Sequence, residues 1–299
     1  MDQFDYSDIT PLPLVEPNNP VTTILYSDEY KNIFGHLAAL LAAKEYSERA
    51  YALTNAAIEQ NAAHYTVWQY RFKIVVALGK DLEKELDWLE EIALDNVKNY
   101  QIWNYRQLLI KKLELKSMKR ELPLLETMLD EDSKNYHVWG YRKWVVSYCG
   151  DYSNELAFVN KLIKADVYNN SAWSHRYFAV VNLSQISDFD FDSEVQYVKE
   201  NINLAPNNYS SWNYLIGIHE YFKKDLTDLE DFVNTHTEDM LDTEVEGVIS
   251  KPGLELLVKI LTLKGEKEKA AKGLDLLASK YDTIRVNYWN YQKSLLSKA

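Results

Sequence analysis

The sequence predicts an all-α fold, a right-handed α-α superhelix in which helical hairpins stack as a solenoid. Three observations carry that expectation. Trp68, Trp103, Trp139, Trp173, Trp212 and Trp289 each sit early in an aromatic, apolar stretch, at intervals of 35, 36, 34, 39 and 77 residues. A more acidic amphipathic stretch lies between successive Trp stretches, as at 81–95, 117–130 and 154–165. No run shows the apolar–polar alternation of a half-buried strand. A two-helix unit of this length cannot bury its apolar faces alone. Stacking on its neighbours buries them, and the stack curves.

The elements follow in order. Prolines at 11, 13, 17 and 20 make residues 1–20 an extended, partly disordered segment ahead of a single solenoid domain over 21–299. Ser27 followed by Asp28 caps a first helix through Phe34, Leu37, Leu40 and Leu41. A second runs from about 46 to 59, with Ala50, Leu53 and Ala57 on one stripe. The Trp units then begin. Gly79 and Gly150 each fall 11 residues after a Trp, where a helical hairpin needs its stop. The run 188–192, Asp-Phe-Asp-Phe-Asp, reads as a loop entering the next helix. The double interval between Trp212 and Trp289 holds a unit that has lost its Trp. Pro252-Gly253, followed by Leu254, Leu256, Leu257 and Ile260, starts its helix.

Within the unit, Trp and Arg stand three apart at Trp68/Arg71, Trp103/Arg106, Trp139/Arg142 and Trp173/Arg176, and so share a helix face. The indole fills space between helix pairs. The guanidinium can bond carbonyls or acidic side chains of the neighbouring unit, or lie over a ring. A feature repeated at a fixed phase reads as a staple, because an active site is needed once. Leu215 and Gln292 replace the Arg after Trp212 and Trp289. Asn99, Asn135, Asn169 and Asn208 precede their Trp by four, which suits helix capping; His64 takes that place in the first unit.

Composition narrows the function. Apolar residues at 46% with 22 Tyr and 8 Trp supply a core and a substantial partner surface. A net charge of −12 without a Lys/Arg-dense tract argues against nucleic acid as a partner. Cys149 is the one cysteine and reads as a structural thiol; it permits no internal disulfide and no multi-cysteine metal site on this chain. The absence of a signal peptide, of a lipidation motif and of an apolar run long enough to span a bilayer points to the cytoplasm and excludes an integral membrane protein. No P-loop, HExxH, GxSxG or CxxC motif is present, and no His pair stands at i,i+4. No metal site is expected on this chain.

What remains is the polar residues at the mouths of two successive Trp helices: Lys98, Tyr100 and Gln101 in one unit, Tyr136 and His137 in the next. Equivalent positions of neighbouring units stand side by side in a solenoid. Helix N-termini offer N–H groups and the positive end of the dipole. Lys98 adds a full charge, the tyrosines add hydroxyl donors, and His137 adds a donor that titrates near neutrality. These residues form either an anion platform or ordinary surface polarity, and residue types alone leave both readings open.

The phrases Lys98-Asn99-Tyr100-Gln101-Ile102-Trp103-Asn104-Tyr105-Arg106 and Lys134-Asn135-Tyr136-His137-Val138-Trp139-Gly140-Tyr141-Arg142, with Asn169-Asn170-Ser171-Ala172-Trp173 and Asp282-Thr283-Ile284-Arg285 ahead of Trp289, resemble the α subunit shared by protein farnesyltransferase and type I geranylgeranyltransferase, the CaaX prenyltransferases. The resemblance runs from about residue 20 to the end. It implies a crescent of helical pairs around a β subunit, in a heterodimer that can form with two alternative β subunits. The β subunit holds the catalytic Zn2+ and sets which isoprenoid is used, and Mg2+ can serve the farnesyl reaction. The enzyme would transfer a farnesyl or geranylgeranyl group from its diphosphate to the cysteine thiol of a C-terminal CaaX sequence in protein substrates.

Carried over position by position, the resemblance makes Lys98 and Tyr100 contacts of the prenyl diphosphate. Tyr136 and His137 approach the same diphosphate and the reacting centre. Gln101 bonds the CaaX carboxylate. His64, Gly140 and the missing Arg after Trp212 and Trp289 depart from the family pattern, at packing positions. Two other readings stand beside this one: the α subunit of the Rab geranylgeranyltransferase, and a non-catalytic helical-repeat scaffold.

Overall fold

The computed structural model describes residues 4–14, 18–237 and 250–296. Among the described residues every regular element is a helix, and no helix is long and apolar enough to cross a membrane. The chain divides into two compact units, residues 1–150 and 151–299. In the first unit the helices are α1 (Asp28–Ala42), α2 (Glu48–Gln60), α3 (Tyr65–Ala77), α4 (Leu82–Asp95), α5 (Tyr100–Lys112), α6 (Glu121–Glu131) and α7 (Tyr136–Cys149). Ser27 Oγ accepts from Tyr30 N–H, and Ser47 Oγ from Ala50 N–H, so both caps start helices where serine can supply an acceptor. α6 begins four residues later than its apolar pattern predicts. The chain makes a turn on the Met118 carbonyl first, and Pro123, lacking an N–H, then sits in the first turn of the helix.

Part of the described N-terminal segment is anchored on the helices. Tyr6 is buried and its hydroxyl donates to Arg49 O at 2.9 Å. Arg49 also pairs with Asp8 and Glu45. Leu12 N–H donates to Gly35 O, and a Cβ on Gly35 would lie 2.9 Å from Leu12 O, so only glycine permits this approach.

The Trp–Arg phrase is a staple, with two parts that its spacing did not display. The indole Nε1 of Trp68, Trp139, Trp173 and Trp212 donates to the carbonyl six residues earlier. Trp103 Nε1 is buried without a partner, and nothing in the structure explains the exception. The guanidinium grips a buried glutamate on the next unit's first helix: Arg71 to Glu85, Arg106 to Glu121 and Arg176 to Glu194. The same carboxylate accepts a hydroxyl 20 residues later, from Tyr105, Tyr141 and Tyr214 respectively. In one unit His175 replaces that tyrosine and meets Glu155. Arg71 lies over the rings of Trp88 and Tyr51, and Arg176 over that of Tyr197, rather than over the Trp of their own phrases. Burial of both charges costs solvation. The bidentate geometry and the third bond to the carboxylate offset that cost.

The second unit continues with α8 (Glu155–Ala165), α9 (Asn170–Leu183), α10 (Phe191–Leu204), α11 (Tyr209–Tyr221), α12 (Glu230–Asn234), α13 (Lys251–Leu263), α14 (Lys267–Leu276) and α15 (Val286–Leu296). Asp190 caps α10 through Ser193 N–H, so the acidic run is a helix entry as expected. The Trp-less unit starts at Ser250, whose Oγ accepts from Gly253 N–H with Pro252 in the first turn. Leu254 occupies the Trp place and is fully buried. Gly79 and Gly150 stop their helices at positive φ, and Glu114 and Lys223 adopt the same conformation at the same distance from Trp103 and Trp212.

Candidate functional site

The site lies in the first unit, where α5 and α7 run side by side. Asn99 Oδ1 accepts from Gln101 and Ile102 N–H, and Asn135 Oδ1 from His137 and Val138 N–H. Each asparagine therefore starts its helix and fixes the direction of the two residues that follow. Asn135 Nδ2 also donates to Val97 O at 3.0 Å, which ties the entry of α7 to the residue before Lys98. The expectation of free helix-end N–H groups is corrected here. The second and third donors of each helix are taken by the capping asparagine, so an incoming anion would meet side chains and the helix dipole.

Those side chains converge. The Tyr100 ring meets the His137 ring edge-on, centroids 4.2 Å apart, and stands 6.5 Å from the Tyr136 ring. Tyr100 and Tyr136 are 66% and 73% exposed, and among the described residues neither hydroxyl has a partner. Together with Gln101, Asn104, Gln107 and Gly140 they line a groove of about 350 Å³. Gln101 lies on the ridge between this groove and a second of about 200 Å³ lined by Tyr65, Trp68 and Gln69. Its side-chain amide is uncommitted among the described residues. Gly140 has open space where a Cβ would stand, which keeps the first groove wide.

Burial, and then the charge of Lys98, push the His137 imidazole below its ordinary value of 6.5. His137 is therefore neutral at neutral pH. Its Nδ1 is buried without a partner, leaving Nε2 as the nitrogen open to the groove. Lys98 Nζ lies 3.5 Å from Asp132 Oδ2. Asp132 is the residue that sequence reasoning missed. It stands three before the cap Asn135, a place that reads locally as a turn, and its contact with Lys98 crosses from one unit to the next.

Four of the five expected residues, Tyr100, Gln101, Tyr136 and His137, line one groove, and Lys98 stands outside its lining, near enough for its charge to act on His137. The groove offers neutral donors to an oxyanion, with the Lys98 ammonium nearby. It does not supply a metal centre, since among the described residues no group of three His, Cys, Asp or Glu is placed to hold an ion. A larger and more apolar cavity of about 520 Å³ lies in the second unit, among α11, α13 and α15. Part of its polar rim is already paired: Glu255 accepts from Tyr209 and Arg285, and Lys259 pairs with Glu220.

Comparison with known proteins bears on the repeat and its family. The protein prenyltransferase alpha subunit repeat matches residues 47–78, 82–113, 118–149, 152–183 and 191–222. The protein farnesyltransferase/geranylgeranyltransferase type-1 subunit alpha of Candida albicans is 47% identical over 304 residues, covering 99% of this chain and 98% of its own length. That of Pisum sativum is 33% identical over 324 residues, covering 99% and 94%. Among solved structures, Candida albicans protein geranylgeranyltransferase-I complexed with GGPP contains a chain that superposes with a TM-score of 0.91 at 46% identity, over 99% of this chain and 100% of that one.

Proposed function

Because the chain belongs to the protein prenyltransferase α-subunit family, we infer that it is the α subunit shared by protein farnesyltransferase and geranylgeranyltransferase type I. It works as one half of a heterodimer with a β subunit and acts on an isoprenoid diphosphate. In the fuller reading the acceptor is the cysteine thiol of a C-terminal CaaX sequence, in the cytoplasm, and one α chain serves two β subunits. Residues 21–299 then form one run of helical pairs; the support is that the family repeat matches on both sides of residue 150.

The chemistry asked of this chain is electrostatic. When the carbon–oxygen bond of the prenyl donor opens, negative charge grows on the departing diphosphate. Donors already aimed at that charge lower the barrier without reorganising. Lys98 supplies the ammonium. Tyr100 and Tyr136 supply hydroxyls that have no other partner among the described residues, and His137 supplies a neutral imidazole on the same groove. Gln101, on the wall the groove shares with its neighbour, bonds the terminal carboxylate of the CaaX peptide and so aligns the thiol with the donor. The Zn2+ of the reading belongs to the β subunit, where it would supply the thiolate; the residues described here do not fit a zinc site. Mg2+ in the farnesyl reaction is part of the same reading.

One observation carries the proposal: the 4.2 Å approach of Tyr100 and His137, which joins two successive units into one surface beside Lys98. The test is co-expression with each β subunit, followed by assay of a short CaaX peptide with C15 and C20 donors and no escort protein. Transfer to the peptide is expected. Activity that requires an escort would assign the chain to Rab geranylgeranyltransferase, and no activity with either partner would leave a scaffold.

A further inference from the structure

We propose that Asp132 is the resident counter-charge of Lys98, exchanged for the diphosphate when a prenyl donor binds. The proposal rests on the reading of Lys98 as a diphosphate contact. Its basis is an asymmetry between the two partners. Asp132 is held by the turn it belongs to: its N–H donates to Met128 O, its carbonyl accepts from Asn135 N–H at 3.0 Å, and its Oδ1 accepts from Lys134 N–H at 3.2 Å. That leaves Oδ2 for Lys98 Nζ at 3.5 Å. Lys98 is 71% exposed at the end of a flexible four-carbon stem, against 39% for Asp132. A tight ammonium–carboxylate bond is about 2.7–2.9 Å long, so this pair is a loose one. The carboxylate is the fixed member and the ammonium the mobile one.

The turn that fixes Asp132 also delivers Tyr136 and His137 to the groove. Lys98 is therefore parked outside the lining of that groove, near enough for its charge to reach His137. A diphosphate brings more charge and more acceptor oxygens than one carboxylate, and it arrives where two helix dipoles favour it. Lys98 changes partner. Asp132 keeps its place, and its charge then opposes the bound anion and offers Lys98 a return partner as diphosphate leaves. Asp132 acts through Lys98, as a positioning residue that sets how tightly the diphosphate is held.

Asparagine separates this role from the structural one. Asp132→Asn keeps an oxygen for Lys134 N–H, and so the turn, while removing the charge; Asp132→Ala removes both. The experiment titrates inorganic diphosphate into the purified heterodimer at low ionic strength, because salt screens an exposed pair. The proteins are wild type, Asp132→Asn, Lys98→Ala and the double variant. Asp132→Asn is expected to bind diphosphate roughly two- to fivefold more tightly, the range of a surface ion pair released. The gain should fall by at least half when Lys98 is absent. Damage to the turn would loosen binding, so a gain in affinity is not something a purely structural role produces. Unchanged or weaker binding in Asp132→Asn overturns the proposal. So does an equal gain with and without Lys98, since Asp132 would then act on the anion directly. If Lys98→Ala alone leaves diphosphate affinity unchanged, the assignment of Lys98 fails first, and that arm shows it separately.

Discussion

Asn135 faces both ways across the boundary between two helical pairs: its Oδ1 caps α7, and its Nδ2 donates to Val97 O at 3.0 Å. One side chain thus sets the start of the helix bearing Tyr136 and His137 and ties it to the chain bearing Lys98. Replacing it with alanine removes the cap and the tie together. Asn135→Ala is expected to lower stability by about 1–2 kcal/mol. It should also slow prenyl transfer, because the two halves of the surface lose their register. Asn135→Asp retains the acceptor but not the donor and should fall between wild type and alanine. Denaturant unfolding with single-turnover transfer on the same samples checks this. An alanine variant with wild-type transfer would separate the cap from the site.

Gln101 is placed on the ridge between two grooves with its amide uncommitted. Gln101→Ala is expected to raise the KM for a CaaX peptide about tenfold, the value of a hydrogen bond to a charged acceptor. Affinity for the prenyl diphosphate should change little. The two constants are measured on one preparation, by peptide-dependent kinetics and by donor titration. Equal losses in both would mean that Gln101 shapes the whole surface and does not select the peptide.

Glu121 lies at the centre of a different construction. Its carboxylate holds Arg106 in a bidentate pair and accepts the Tyr141 hydroxyl at 2.6 Å, with all three groups buried. Glu121→Ala strands a buried guanidinium and is expected to cost about 3–5 kcal/mol. The Tyr141 hydroxyl, pushed well above its ordinary value of 10.0 chiefly by burial, cannot ionise to replace the lost charge. The corresponding exposed pair, Lys80 with Glu48, should cost no more than about 1 kcal/mol when cut. Urea unfolding of Glu121→Ala and Glu48→Ala side by side checks the contrast, and equal losses would refute it.

The Trp phase was legible because every unit repeats it and because aromatic residues are conspicuous. The glutamates were not, although Glu85, Glu121, Glu155 and Glu194 each stand 18 residues before a Trp with equal regularity. The first helices are acidic throughout, so one buried carboxylate among several solvated ones carries no mark in the sequence. Burial alone distinguishes it. The site shows the same divide. Lys98, Tyr100, Gln101, Tyr136 and His137 were visible as the polar residues left over once capping and stapling had been assigned. The capping by Asn99 and Asn135 was legible as well; two contacts were not, that Asn135 Nδ2 reaches Val97 O and that Asp132 meets Lys98. Both depend on which of several nearby polar atoms a side chain reaches, and spacing does not decide that.

The buried histidines of the second unit make stability depend on pH with a definite sign. His219 donates Nδ1–H to the Leu215 carbonyl at 2.8 Å, and His236 bonds Asn203. Burial pushes both below their ordinary value of 6.5; around His219 the charges of Lys199 and Lys224 add to this, while the Leu215 bond and Asp228 oppose it. A histidine whose folded value is depressed binds its proton more readily in the unfolded chain. The stability it contributes is fully present above about pH 6.5 and is lost as the pH falls through the folded value. The heterodimer should therefore show a falling Tm between pH 7 and 5. His236→Gln, which keeps a donor for Asn203 and cannot titrate, should make that fall shallower while shifting the Tm at pH 7.5 only slightly. A variant with the same slope as wild type would show that carboxylates, and not this imidazole, govern the acid limb.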